Sequence, residues 1–215
     1  MRRKLVILGA GGFAREVVWL VADINRTTGS DSWDIVGFLE QSAERVGQLV
    51  NGIPIIDTGK IAEHLPHIYA VAAIGIPQIK ERAVIQAERI GCKFATLVHP
   101  TVQMDPDTVR IGAGSIICAG NILTVNIRIG EHVILNLDCT VGHNTVIEDY
   151  VTVSPGCHLS GYSTIRRGAY LGTGAVTIER REIGAHSTIG AGAVVIRDIP
   201  ADVTAVGVPA TVKVG

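Results

Sequence analysis

Aromatic side chains are scarce in this chain, with three Phe, two Trp and four Tyr among 215 residues. A core built around large rings is therefore excluded, and the 47% apolar share rests on Val, Ile, Leu and Ala. Such a core has to be thin, regular and filled by small branched side chains. A basic excess is also missing, with 19 Lys and Arg against 20 Asp and Glu. Proteins that neutralise nucleic-acid phosphates or anionic membrane surfaces carry that excess, so neither nucleic acid nor membrane is expected as a partner. No apolar run reaches the ~18 residues that span a bilayer. Met1-Arg2-Arg3-Lys4 leads straight into Leu5–Gly9, too short an apolar stretch for a secretory signal, and the chain reads as cytoplasmic. Cys92, Cys118, Cys139 and Cys157 form no C-x-x-C pair and read as reduced core residues rather than a disulfide or zinc framework.

What the chain does have is a period. Stepping by six from Ile111 gives Ile117, Leu123, Ile129, Leu135, Val141, Ile147, Val153, Leu159, Ile165, Leu171, Thr177, Ile183, Ile189 and Val195, and only Thr177 breaks the aliphatic series. A period of six fits neither a helix nor, alone, a half-buried strand. It fits a triangular coil in which three hexads, about 18 residues, make one turn and stacked turns make a prism of three parallel sheets. The aliphatic residues then point into a slender interior where rings have no room. Glycines that follow them, such as Gly112, Gly130, Gly142 and Gly172, are expected to supply the corner dihedrals that a Cβ resists. Cys139 and Cys157 stack one coil apart as core filler. His132, His143, His158 and His186 do not share one hexad position, so no histidine metal site is expected. Glu179-Arg180-Arg181 interrupts the repeat, and reads as a solvated loop or as a contact to an anionic coenzyme phosphate.

The first half alternates β and α signals. Lys4–Leu8 is an apolar run closed by Gly9-Ala10-Gly11-Gly12 and followed by helical spacing through Ile24. Extended segments are expected at Asp34–Leu39, Ile53–Ile56, Ile68–Ile74 and Lys93–Val98, with helices at Thr58–Leu65 and from about Gln78 to Ile90. This is a small parallel sheet of Rossmann type. The G-x-G-x-x-A turn from Gly9 to Ala14 reads either as a pyrophosphate cradle or as a ligand-free strand-to-helix turn. Glu40 ends the second strand, where an acidic residue meets a ribose, and the unit is about half a dinucleotide fold, which favours a mononucleotide head group over NAD. The expected organisation is α/β followed by all-β: residues 1–98 as a Rossmann-like nucleotide-sugar domain and 99–215 as a β-helix with a C-terminal tail.

Four features occur together: the Gly9-Ala10-Gly11-Gly12 turn, Leu97-Val98-His99-Pro100, the stretch from Leu135 to His143, and Gly207-Val208-Pro209-Ala210. Across essentially the whole chain they resemble the hexapeptide-repeat sugar acetyltransferases of bacterial surface glycans, the family of PglD, PerB and NeuD. The resemblance implies a left-handed parallel β-helix, a homotrimer, acetyl-CoA as co-substrate, no metal, and a nucleotide-linked amino sugar held by the N-terminal domain. It carries a catalytic base onto His143, oriented by Asn144 where relatives have a carboxylate. It carries acetyl-CoA contacts onto Thr152, where relatives often have a histidine, and onto Gly161, Thr173 and Ala191, taken to share one edge. Sugar-nucleotide contacts fall on Gly11, Gly12, Phe13, Glu40, Gln41 and Gly75. Asn136 falls near the sugar or belongs to a buried asparagine ladder.

The chemistry of His143 stands beside that resemblance. Acyl transfer to an amine needs a base near neutral pH, which imidazole supplies, and its hexad position turns it outward. A neutral amine attacks a thioester without a covalent acyl-enzyme, so no Ser or Cys nucleophile is required. The expected reaction is N-acetylation of a nucleotide-linked 4-amino-4,6-dideoxyhexose. O-acetylation of a sialic acid or related sugar, and a non-catalytic sugar-nucleotide-binding module, are the alternatives.

Overall fold

A computed structural model describes residues 2–28, 32–40, 43–63 and 67–213. The chain divides into two compact units, Met1–Pro100 and Thr101–Gly215. In the first, β1 (Arg3–Leu8), β2 (Trp33–Leu39), β3 (Leu49–Val50), β4 (Ile53–Ile56), β5 (Ile68–Ala72) and β6 (Lys93–Phe94) form one sheet in the order β3-β4-β2-β1-β5-β6. All pairs are parallel except the β3–β4 hairpin. The helices are α1 (Gly12–Thr28), α2 (Thr58–Ala62) and α3 (Pro77–Ile90). Asp57 caps α2 by accepting from the Lys60 N–H at 2.9 Å, and Gly91 ends α3 at φ 92. Val17, Val21 and Ala14 of α1 and Val84 and Ala87 of α3 are buried, as are Leu5 to Leu8 of β1. A parallel strand carrying helices across its faces needs that uninterrupted apolar run.

Three expected elements differ. Strand β5 stops at Ala72, two residues short of the expected Ile74. Helix α2 stops at Ala62, and the end of the segment expected to reach Leu65 lies outside the described residues. The single strand expected over Lys93–Val98 is two short ones, Lys93–Phe94 and Leu97–Val98.

The second unit is the prism that the period predicts. Strands from Ile116–Ile117 to Thr188–Ile189 stack on one face, from Ile122–Leu123 to Val194–Val195 on a second, and from Arg110–Ile111 to Glu182–Ile183 on a third. Each rung pairs in parallel with residues eighteen positions away, as Ile116 does with Ile134 and Thr140 with His158. Leu135, Val141, Val153, Ile165 and Leu171 are fully buried along the axis. The interior holds no ring: Tyr150 and Tyr162 stand on corners and Tyr170 alternates outward beside buried Leu171. Cys139 and Cys157 are buried neighbours. The Cys157 sulfur and burial hold the Cys139 thiol well above its ordinary pKa, keeping it neutral.

Two details correct the sequence reading, and a third explains the exception at Thr177. The chain between Thr177 and Glu182 does not interrupt the repeat, since Val176–Thr177 and Glu182–Ile183 pair in register with their neighbours. Thr177 is buried because its hydroxyl is satisfied, accepting from the Ser160 N–H at 3.2 Å and meeting Ser163 Oγ at 3.2 Å. The positive-φ corner residue lies two positions after the expected glycine: Gly114, Gly120, Asn126, His132, Asp138, Asn144 and so on at every sixth residue. Glycine is needed at Gly142 for another reason, since a Cβ there would stand 2.6 Å from Gly161 N on the next rung.

With so little side-chain volume per rung, a deleted methylene has few neighbours to collapse onto it. Leu135→Ala is expected to cost about 2–5 kcal/mol. A lowered urea midpoint with unchanged slope would show it, and an unchanged midpoint would refute the slender-core account.

Candidate active site

Three corners run along the prism, each made of the turn residues that follow one face. His143 lies on the corner after Thr140–Val141 and is exposed. Its Nδ1 stands 3.2 Å from Oδ1 of Asn144, the amide that follows it. An Nδ1–H donated to that carbonyl oxygen fixes the tautomer and leaves Nε2 as the acceptor. The next rung supplies the seat of the ring. A Cβ on Gly161 would fall 2.7 Å from both Cε1 and Nε2 of His143, so the imidazole occupies space that any other residue at 161 would fill. Tyr162, whose N–H donates to the His143 carbonyl at 2.9 Å, meets the imidazole edge to face with ring centroids 5.1 Å apart.

The other acetyl-CoA candidates lie elsewhere on the prism. Thr173 and Ala191 follow Leu171 and Ile189 on the corner after a different face, and Thr152 is buried on that face itself. The expectation that Gly161 shares an edge with Thr173 and Ala191 is therefore corrected: a coil is eighteen residues, and the twelve from 161 to 173 advance two sides. On the Thr173 corner added Cβ atoms at Gly156 and Gly192 would meet nothing within 4 Å, whereas one at Gly172 would meet Ala191 N at 2.6 Å and one at Gly190 would meet Val206 Cγ1 at 2.7 Å. Asn136 is also on this corner. Its Oδ1 accepts from the Leu137 N–H at 2.8 Å, and the buried asparagine is instead Asn121, which donates to the carbonyls of Cys118 and Asn136. No asparagine ladder forms.

In the first unit a cavity of about 870 Å³ opens at the carboxyl ends of the strands. Leu8 and Gly9 at the end of β1, Leu39 and Glu40 at the end of β2, and Ile74 beyond β5 line it, and α3 supplies Ile79, Ala83, Gln86 and Arg89. The chain runs outward from β1 through β2 to one edge, then returns to β5 on the other side. That reversal is where open α/β sheets bind ligands. Of the sequence candidates Gly9, at the start of the glycine turn, lines the cavity, as does Glu40. Its two carboxylate oxygens accept from Arg45 Nη1 at 2.8 and 2.7 Å, so an incoming hydroxyl meets an acid already paired. Gly11, Gly12, Phe13 and Gly75 are not among the lining residues, and Gln41 lies outside the described residues. Sequence reasoning missed Arg45 and the α3 wall. The spacing of Ile79, Ala83, Gln86 and Ile90 marks one helix face, but nothing local says that this face borders a cavity.

Among the described residues no three His, Cys, Asp or Glu side chains are grouped to hold a metal. No helix among the described residues is long and apolar enough to cross a membrane.

Comparison with known proteins connects these features. Residues 4–87 match the family model described as the PglD N-terminal domain. The GDP-perosamine N-acetyltransferase of Escherichia coli O157:H7 is 34% identical over 173 residues, covering 79% of this chain and 76% of that one. The acetyltransferase domain of PglB from Neisseria gonorrhoeae, solved with acetyl coenzyme A, superposes with a TM-score of 0.86 at 33% identity, covering 99% of this chain and all of that one. PerB from Caulobacter crescentus, solved with CoA and GDP-perosamine, gives 0.85 at 28% identity, covering 98% of this chain and 97% of that one.

Proposed function

From the premise that this chain belongs to the PglD/PerB family of hexapeptide-repeat sugar acetyltransferases, a Rossmann-like unit followed by a left-handed β-helix, we propose that it acetylates the amino group of a nucleotide-linked sugar. Acetyl-CoA is the donor, the acceptor is a 4-amino-4,6-dideoxyhexose, and the product serves a bacterial surface glycan. The observation that carries this reading is the seating of an exposed imidazole against Gly161, with Nδ1 turned to an amide oxygen and Nε2 left to act. The cavity at the strand ends, with Glu40, Arg45 and Arg89 among its lining residues, suits a charged nucleotide head group.

The neutral sugar amine attacks the thioester carbonyl carbon, forming the N–C bond. His143 Nε2 takes the proton that the nitrogen sheds, a backbone N–H group receives the charge on the carbonyl oxygen, and the C–S bond breaks to release CoA. Asn144 orients the imidazole but offers the imidazolium a dipole where a carboxylate would offer a full charge. One prism carries His143 and the Thr173 corner on different edges. A site that uses both takes one edge from each of two copies, which supports a closed homotrimer with the donor lying between prisms.

The test is incubation with acetyl-CoA and UDP-, dTDP- and GDP-linked amino sugars beside free sialic acids, following thiol release and product mass. One added acetyl group on the nitrogen of a nucleotide-linked sugar is expected. Turnover confined to a hydroxyl acceptor would replace N-transfer by O-transfer.

A further inference from the structure

We propose that Tyr162, with Arg180 stacked upon it, is the positioning residue that holds the His143 imidazole in its working orientation. This rests on the reading of His143 as the base. The hydrogen bond to Asn144 restrains one nitrogen of an exposed ring and leaves the ring free to rock about it. Gly161 limits that motion on one side by offering no side chain, and Tyr162 limits it through a perpendicular contact, at 88° and 5.1 Å between centroids.

Tyr162 is itself held. The Arg180 guanidinium carbon lies 4.7 Å from the centre of its ring. The backbone ties the rungs together, Tyr162 N–H to the His143 carbonyl at 2.9 Å and Arg180 N–H to the Gly161 carbonyl at 3.0 Å. His143, Tyr162 and Arg180 thus come from three successive coils along one corner.

The backbone conformation belongs to the corner, since Tyr150 also adopts φ 60 on another corner, stacked on His132 at 5.1 Å with Arg167 4.6 Å from its ring; what sets Tyr162 apart is its exposure. Tyr162 adopts φ 60, a region where a bulky side chain is strained and where Asn is tolerated. The same corner carries Asn at 126 and 144 in that conformation. Tyr162 is 47% exposed, so its ring fills no core. Unlike Tyr150, which is 8% exposed, Tyr162 stands open to solvent beside the exposed His143, so its contact bears on the orientation of that imidazole.

The experiment measures kcat, both KM values and thermal unfolding for Tyr162→Asn, Tyr162→Phe and Arg180→Gln, with His143→Ala as reference. Tyr162→Asn is expected to lower kcat about 10-fold or more with both KM values within about two-fold. Its Tm should stay level or rise, because Asn relieves the strained φ. Tyr162→Phe should return kcat to within about two-fold of wild type, and Arg180→Gln should lower kcat less than Tyr162→Asn does. Wild-type kcat in Tyr162→Asn overturns the proposal, as does a rise in KM alone, which would make Tyr162 a substrate contact. So does a fall in Tm that tracks the loss of kcat in both Tyr162 variants. A raised KM for acetyl-CoA in Arg180→Gln at unchanged kcat would make Arg180 a coenzyme contact and overturn its part. If His143→Ala turns over at the wild-type rate, the base reading itself has failed. If His143→Ala is inactive while Tyr162→Asn is not, only the positioning role has.

Discussion

His143→Ala is expected to lower kcat by about 10²–10⁴-fold, the usual contribution of a positioned general base. The side chain is exposed and its loss opens no core, so the unfolding midpoint should stay close to that of the wild-type protein. The measurement is steady-state thiol release from acetyl-CoA at saturating acceptor, paired with thermal unfolding. Wild-type turnover would remove His143 from the chemistry. The activity loss should be concentrated in kcat, because an imidazole that takes a proton as the N–C bond forms contributes to the transition state and little to either ground-state complex.

Gly161→Ala should reproduce much of that loss without touching the histidine. The added methyl would stand 2.7 Å from Cε1 and Nε2 of His143, and the ring has to swing aside. Displacing a catalytic group by about 1 Å costs on the order of 10²-fold in rate. The fold should be largely spared, because the atom in the way belongs to an exposed side chain that can yield. Gly142→Ala provides the contrast. There the added methyl meets the Gly161 backbone nitrogen at 2.6 Å, and main chain of the next rung cannot move independently of the sheet. Gly142→Ala should lower the unfolding midpoint, whereas Gly161→Ala should lower kcat at nearly constant midpoint. Equal effects of the two on stability would refute the seat that Gly161 provides.

The repeat was legible because an inward-facing aliphatic is demanded at the same place on every side of every coil. A single exception, Thr177, was visible as one, and only the hydroxyl partners Ser160 and Ser163 explain why it is tolerated inside. The corner was misplaced by two residues because glycine in sequence has two meanings. Gly142 avoids a backbone on the neighbouring rung, whereas the left-handed corner falls on Asn144, Tyr162 and Arg180, residue types that do not announce it. The N-terminal unit followed the same logic. Strand and helix runs showed in the apolar pattern, but the cavity wall on α3 and the Glu40–Arg45 pair depend on where α3 and the Ala43–Arg45 turn dock after folding.

By itself, the sequence determined the period of six, the slender interior that excludes rings, the α/β character of the first half and the outward turn of His143. Each of these follows from local spacing and side-chain size. Tertiary structure alone decided what stands beside the imidazole. Gly161 and Tyr162 reach it from the next coil, Arg180 stacks on Tyr162 from the one after, and Thr173 and Ala191 were carried to a different edge. The physical reason is that stacking brings together residues about one coil apart, while dihedrals and ring contacts at each corner choose which of them face one another.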